Sequence, residues 1–184
     1  MMLEGGKIDW AAHAHDAATV VTETIDFDQC IRLAYEFYKK HPDETLILVT
    51  ADHETGGLGL GNSGTNLNIE LQKYQQCSQE ALTNAMRKMK SAVAIPSWEE
   101  MIFFLKKKSK DIVSLYAKDE PLAVAAVALL DKKASIGWTT KSHTGAPVPL
   151  YVVGKQAHLY SGRRDNTDMA NILRRLFNLK QWEE

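Results

Sequence analysis

Thiols are scarce: Cys30 and Cys77 are the two cysteines of a 184-residue chain, too few for a disulfide framework and without the spacing of a cysteine metal site. They read as buried or idle side chains and leave the redox compartment open. No charge of one sign dominates, with 22 Lys and Arg against 23 Asp and Glu and a formal net charge of -1. Nothing in that bulk balance calls for nucleic acid or an anionic membrane, and the expected partner is a small molecule. Long apolar runs are missing too. The longest, Leu122 to Leu130, falls far short of the ~20 residues of a membrane-spanning helix. The N-terminus shows no basic, apolar, small-residue leader pattern, so the expectation is a soluble chain without an address of its own. Proline is rare: Pro42 reads as the end of a helix, and Pro96 and Pro121 as breaks between helices.

What is present reads as α/β at both ends with a different middle. A chain of this length is expected to form one domain that buries roughly 70% of its unfolded surface. In "FDQCIRLAYEFYKKH" the residues Phe27, Ile31, Leu33, Ala34, Phe37 and Tyr38 recur at helical spacing, with Asp26 or Asp28 placed to cap the start. "TLILVTAD", residues 45 to 52, is an apolar β-rich run without alternation, as in a strand covered on both faces of a parallel sheet. Glycines crowd the stretch from Gly56 to Gly64, which marks a loop. Residues 69–134 are helix-rich and read as a cap-like insertion. "VPLYVVG" restores a strand at 148 to 154, and "DNTDMANILRRLFNL" is a capped amphipathic helix.

Three stretches carry chemistry. In "IDWAAHAHD" a helix over residues 9 to 20 would set Asp9 and His13 at i and i+4, side by side, with Cβ atoms about 6 Å apart. A carboxylate oxygen and an imidazole nitrogen so placed suit one metal ion, and a third ligand from elsewhere would leave a position open for water or substrate. In "VTADHETGG", Asp52 and His53 stand where a strand ends and a glycine loop begins, at the carboxyl edge where open α/β sheets bind ligands. In "KSHTGAPVPLY", His143 sits in a loop just ahead of another strand.

The four stretches "LEGGKIDWAAHAHD", "VTADHETGG", "SHTGAPVPLYVVG" and "SGRRDNTDMANIL" occur in the order found in the C-terminal half of alkaline phosphatases, and the chain resembles that family at both ends. The resemblance implies a mainly parallel sheet sandwiched between helices, two zinc ions and one magnesium ion in a cleft at its edge, and a small phosphomonoester as substrate. Carried over residue by residue, Asp9, His13 and His143 match the ligands of the first zinc. Asp52 and His53 match ligands of the second, and Glu4 matches the magnesium-ligand glutamate. Trp10 falls beside the phosphate site. His15, Asp16 and Glu54 match no ligand, and "DNTD" reads as a helix cap.

In the family a serine attacks the ester and a zinc-bound hydroxide hydrolyses the phosphoserine, two ions about 4 Å apart clamping both ends of the displacement. The serine, an aspartate shared by the metals and a phosphate-binding arginine belong to the half that precedes Glu4, and neither Ser63 nor Ser142 replaces the nucleophile. The expectation is therefore an incomplete phosphatase of low activity, with an exposed sheet edge that favours a homodimer or other self-association. The full-length enzyme is expected in the periplasm or outside the cell. The competing readings are a non-catalytic zinc-binding remnant or scaffold, and a related phosphodiesterase, phosphomutase or sulfatase; the "EGGKIDWAAH" and "HTGAPVPLY" wording favours the monoesterase.

Overall fold

The computed structural model describes residues 1–62, 64, 66–92 and 122–179. It divides into two compact units, Met1–Phe27 with Thr55–Thr144, and Asp28–Glu54 with Gly145–Glu184. Part of the helix-rich stretch expected over residues 69–134, including "SWEEMIFFLKKKSK", lies outside the described residues.

In the first unit, helix α1 (Gly6–His13) is followed by His15 in the left-handed region, φ 57°, before α2 (Ala17–Lys40) begins. The single helix expected over residues 9 to 20 is thus two helices, and the cap of the second is Asp16 rather than Asp26 or Asp28. The Asp16 carboxylate accepts from the Thr19 amide at 3.0 Å and the Thr19 hydroxyl at 2.7 Å. It also accepts from Gln75 Nε2 at 2.6 Å and the Gln79 amide at 2.7 Å, at the start of α3 (Gln79–Ala92). Only 1% exposed, Asp16 survives burial because charge-assisted hydrogen bonds replace its water.

Helix α4 (Leu122–Lys133) is rich in small apolar residues, of which Ala123, Ala125 and Val127 are buried. It packs on α3, on the 3-10 turn Ile69–Tyr74 and on strand β4 (Ile136–Gly137). Ala17, Ala134 and Ile136 form a small core closed by Leu71 and Trp138. Strand β3 (Gly59–Leu60) runs antiparallel to β4, and β5 (His143–Thr144) pairs with β2 (Glu54–Thr55), through which the chain enters this unit.

In the second unit, β1 (Leu46–Val49) and β6 (Tyr151–Gly154) pair in one sheet with Leu46 opposite Gly154 and Val49 opposite Tyr151. Thr50 extends the pairing by donating to the Pro149 carbonyl at 3.0 Å. Gly154, at φ 113°, lies so close to the chain that a Cβ there would stand 2.2 Å from the Thr45 carbonyl oxygen, which restricts the position to glycine. Both strands form where the sequence places them, but they run antiparallel, not parallel, and the described strands pair only in twos. An apolar run without alternation encodes burial on both faces and says nothing of its neighbour's direction; here both strands are in fact only half-buried. Helix α5 (Asn166–Leu176) closes the unit, its N-terminus fixed by a reciprocal capping box between Asp165 and Asp168. Among the described residues no helix is long and apolar enough to cross a membrane.

Candidate metal centre

The last turn of α1 and the start of β5 meet in the first unit. His13 Nε2 lies 3.5 Å from Asp9 Oδ1, the i and i+4 neighbours of one helical face. His143 Nε2 stands 3.2 Å from His13 Nε2 and 3.8 Å from Asp9 Oδ1, with the two imidazole rings 5.0 Å apart. Three donor atoms from two distant stretches of sequence therefore face one point.

Other groups orient them. His13 Nδ1 is 2.6 Å from the Lys141 carbonyl oxygen. A carbonyl only accepts, so the His13 proton sits on Nδ1 and Nε2 turns its lone pair toward the cluster. The Thr55 hydroxyl donates to Asp9 Oδ1 at 2.6 Å, holding the carboxylate in place. The three side chains remain between 35% and 49% exposed, which leaves the point open to a small molecule.

The donor set fits a metal. Bonds of ~2.0–2.1 Å in tetrahedral geometry put ligand atoms about 3.3 Å apart, and the separations here are 3.2, 3.5 and 3.8 Å. Two ring nitrogens at 3.2 Å also need a proton or a cation between them. Two imidazoles and one carboxylate are a set zinc accepts, with a fourth position to spare.

Asp52 and His53 follow β1 in the second unit, where His53 Nε2 is 3.4 Å from Asp52 Oδ2 and the His53 amide donates to Asp52 Oδ1 at 3.1 Å. Glu4 is exposed ahead of α1. Trp10 is 65% exposed on α1, with the Lys7 ammonium 4.8 Å from its ring centroid. Sequence reasoning missed Thr55 and the Lys141 carbonyl. Thr55 was within reach, two residues after His53 in "DHETGG"; a backbone oxygen carries no sequence signal at all.

Comparison with known proteins is consistent across sequence and structure. The alkaline phosphatase family profile matches residues 1–179. Alkaline phosphatase 4 of Bacillus subtilis is 33% identical over 94% of the chain, which spans 38% of that protein. The crystal structure of a cold-active alkaline phosphatase from a psychrophilic Shewanella superposes with a TM-score of 0.75 at 30% identity, over 97% of this chain and 44% of that one. A TAB5 alkaline phosphatase variant solved with magnesium bound shares the fold at a TM-score of 0.54 and 22% identity, over 97% of this chain and 35% of that one. The chain thus spans about two-fifths of the relatives it matches.

Proposed function

Because the chain belongs to the alkaline phosphatase family, we propose that it is the metal-binding portion of a phosphomonoester hydrolase, with Asp9, His13 and His143 holding one zinc ion. Asp52 and His53 are assigned to a second zinc, and Glu4, a hard oxygen donor, to magnesium. The observation that carries this reading is the trio itself, whose three donor atoms lie within 3.8 Å of one another. When bound, zinc supplies Lewis acidity that polarises a phosphoryl oxygen and lowers the pKa of a coordinated water. The chain's own groups prepare for it: Lys141 holds the His13 proton on Nδ1, Thr55 steadies Asp9, and Trp10 is proposed as a neighbour of the substrate phosphate. The substrate is proposed to be a small phosphomonoester and the full-length protein to act in the periplasm or outside the cell.

None of the residues assigned here is a nucleophile, so the chain on its own is expected to turn over far below the ~10 per second typical of enzymes. Zinc titration by calorimetry, paired with a chromogenic phosphomonoester assay at alkaline pH, tests the reading. The expected result is zinc binding that weakens sharply in His143→Ala. Unchanged zinc affinity in that variant overturns the ligand assignment. Turnover near ~10 per second, abolished by His143→Ala, would show the chain to be a sufficient catalyst. A phosphodiester or sulfate ester cleaved faster than the monoester would move it to another reaction class.

A further inference from the structure

The segment that delivers His143 is anchored at every step from residue 138 onward. The Trp138 indole N–H donates to Asp131 Oδ2 at 2.7 Å, while the other oxygen of Asp131 accepts from Gln72 Nε2 at 2.9 Å. Asp131 is 3% exposed on α4, and burial pushes its carboxyl up to about 6. The face of Trp138 lies flat on the ring of His15, with centroids 4.9 Å apart and 4° between the planes. Its edge fills the space beside Gly56, where a Cβ would come within 2.7 Å of the indole.

From there the backbone is pinned link by link. The Gly56 carbonyl accepts from the Thr139 amide at 3.0 Å and the Thr140 amide at 3.2 Å, and the Gly56 amide donates to the Ser142 carbonyl at 3.0 Å. His15 Nε2 donates to the Thr140 carbonyl at 2.6 Å. The next carbonyl, that of Lys141, is the one that orients His13. His15 reaches Thr140 from a left-handed backbone, φ 57°, a conformation costly for histidine and held here by the stack and the hydrogen bond together.

We infer that Trp138, clamped by the Asp131 carboxylate at its N–H and by His15 on its face, is a positioning residue for the metal centre. It sets the path of residues 139–142, and so fixes both the Lys141 carbonyl that orients His13 and the approach of His143. The indole is suited to this because it is a rigid plate with one donor: the plate takes the stack and the packing against Gly56, and the donor sets its rotation. A phenyl ring keeps the plate and loses the donor.

The inference rests on the reading that Asp9, His13 and His143 bind metal, and the test separates the two. Zinc affinity is measured by competition with a chromogenic chelator, and cobalt is substituted so that its visible spectrum reports ligand geometry. Trp138→Phe and Trp138→Leu are compared with wild type, with His143→Ala as the ligand variant. Leu122→Ala, about two and a half turns along α4 from Asp131, serves as a core variant that leaves the loop alone. Expected are a loss of roughly 10-fold or more in zinc affinity for both Trp138 variants, an altered cobalt spectrum, and no change in either for Leu122→Ala.

Wild-type affinity and spectrum in the Trp138 variants overturn the inference while the ligand assignment stands, provided His143→Ala weakens binding. An equal loss in Leu122→Ala also overturns it, because the effect is then general destabilisation. No loss in His143→Ala removes the metal reading and the inference with it. If circular dichroism shows that the Trp138 variants do not fold, His15→Asn takes their place. Asparagine accepts the left-handed backbone but lacks the stack and the bond to Thr140, and it carries the same expected loss and the same overturning result.

Discussion

At the scale of single residues, Asp131 is a carboxyl that burial pushes above its ordinary value. Burial raises its carboxyl from 3.8 to about 6, the nearby Asp16 carboxylate pushes the same way, and donors from Trp138, Gln72 and the Ala17 amide pull back without winning. The folded chain therefore holds a proton on Asp131 that the unfolded chain has released between these two values. Stability from this group is fully present below pH ~3.8 and is lost as pH rises through about 6. At 1.36 kcal/mol per unit the loss is on the order of 3 kcal/mol. Asp131→Asn does not titrate, and its amide can donate to the buried Gln72 Oε1, which has no partner. The variant is expected to gain on wild type by up to that amount between pH 4 and 7. Urea denaturation of both proteins with chelator present checks this, and a difference that stays constant over the range would show that Asp131 is charged throughout.

Elements are held by features of very different visibility. Gly154 is the tighter constraint: its φ of 113° and the 2.2 Å approach of a Cβ to the Thr45 carbonyl combine strain with a backbone clash. Gly154→Ala should cost on the order of 3 kcal/mol, read as a lower denaturation midpoint for the second unit; an unchanged midpoint would mean that β6 shifts freely along β1. Asp165 caps α5 by accepting from the Thr167 amide at 3.0 Å and the Thr167 hydroxyl at 2.8 Å. Those bonds hold its carboxyl below the usual 3.8, so the cap is present above that pH and is lost as acid protonates it. Amide exchange in the first turn of α5 should quicken in Asp165→Ala, and exchange equal to wild type would show the cap to be idle.

The cap was legible in "DNTD" and the Asp9 and His13 pair in their spacing, because both are local rules of helix geometry. The direction of β1 against β6 was not legible, since it is set by residues about a hundred positions apart. Nor was the Asp16 cap foreseen. A left-handed His15 breaks the pattern there, and its reason lies in the stack on Trp138, far along the chain.

At the scale of the whole molecule, the second unit leaves much apolar surface uncovered. Leu33 is 72% exposed and Phe37 56% exposed, one helical turn apart on α2, and Tyr151 of β6 is 66% exposed. A cavity of about 360 Å³ opens between α2 and the strand pair, lined by Ile31, Tyr35, Ile47, Val49, Tyr151 and Val153 among others. Among the described residues β1 and β6 have no partner but each other, so each keeps one edge of unpaired backbone groups. Exposed edges and apolar faces of this kind are where chains associate, and a second copy brings the same complementary edge. The protein is therefore expected to sediment above its monomer mass of 20.6 kDa, with a weight-average mass that climbs with concentration. Leu33→Glu combined with Phe37→Glu places two charges on that face and should shift the population toward monomer, without touching any proposed metal ligand. Wild type that sediments as a monomer over a hundredfold range of concentration would show that these surfaces do not associate in solution, and that a face open by geometry is closed by its own hydration.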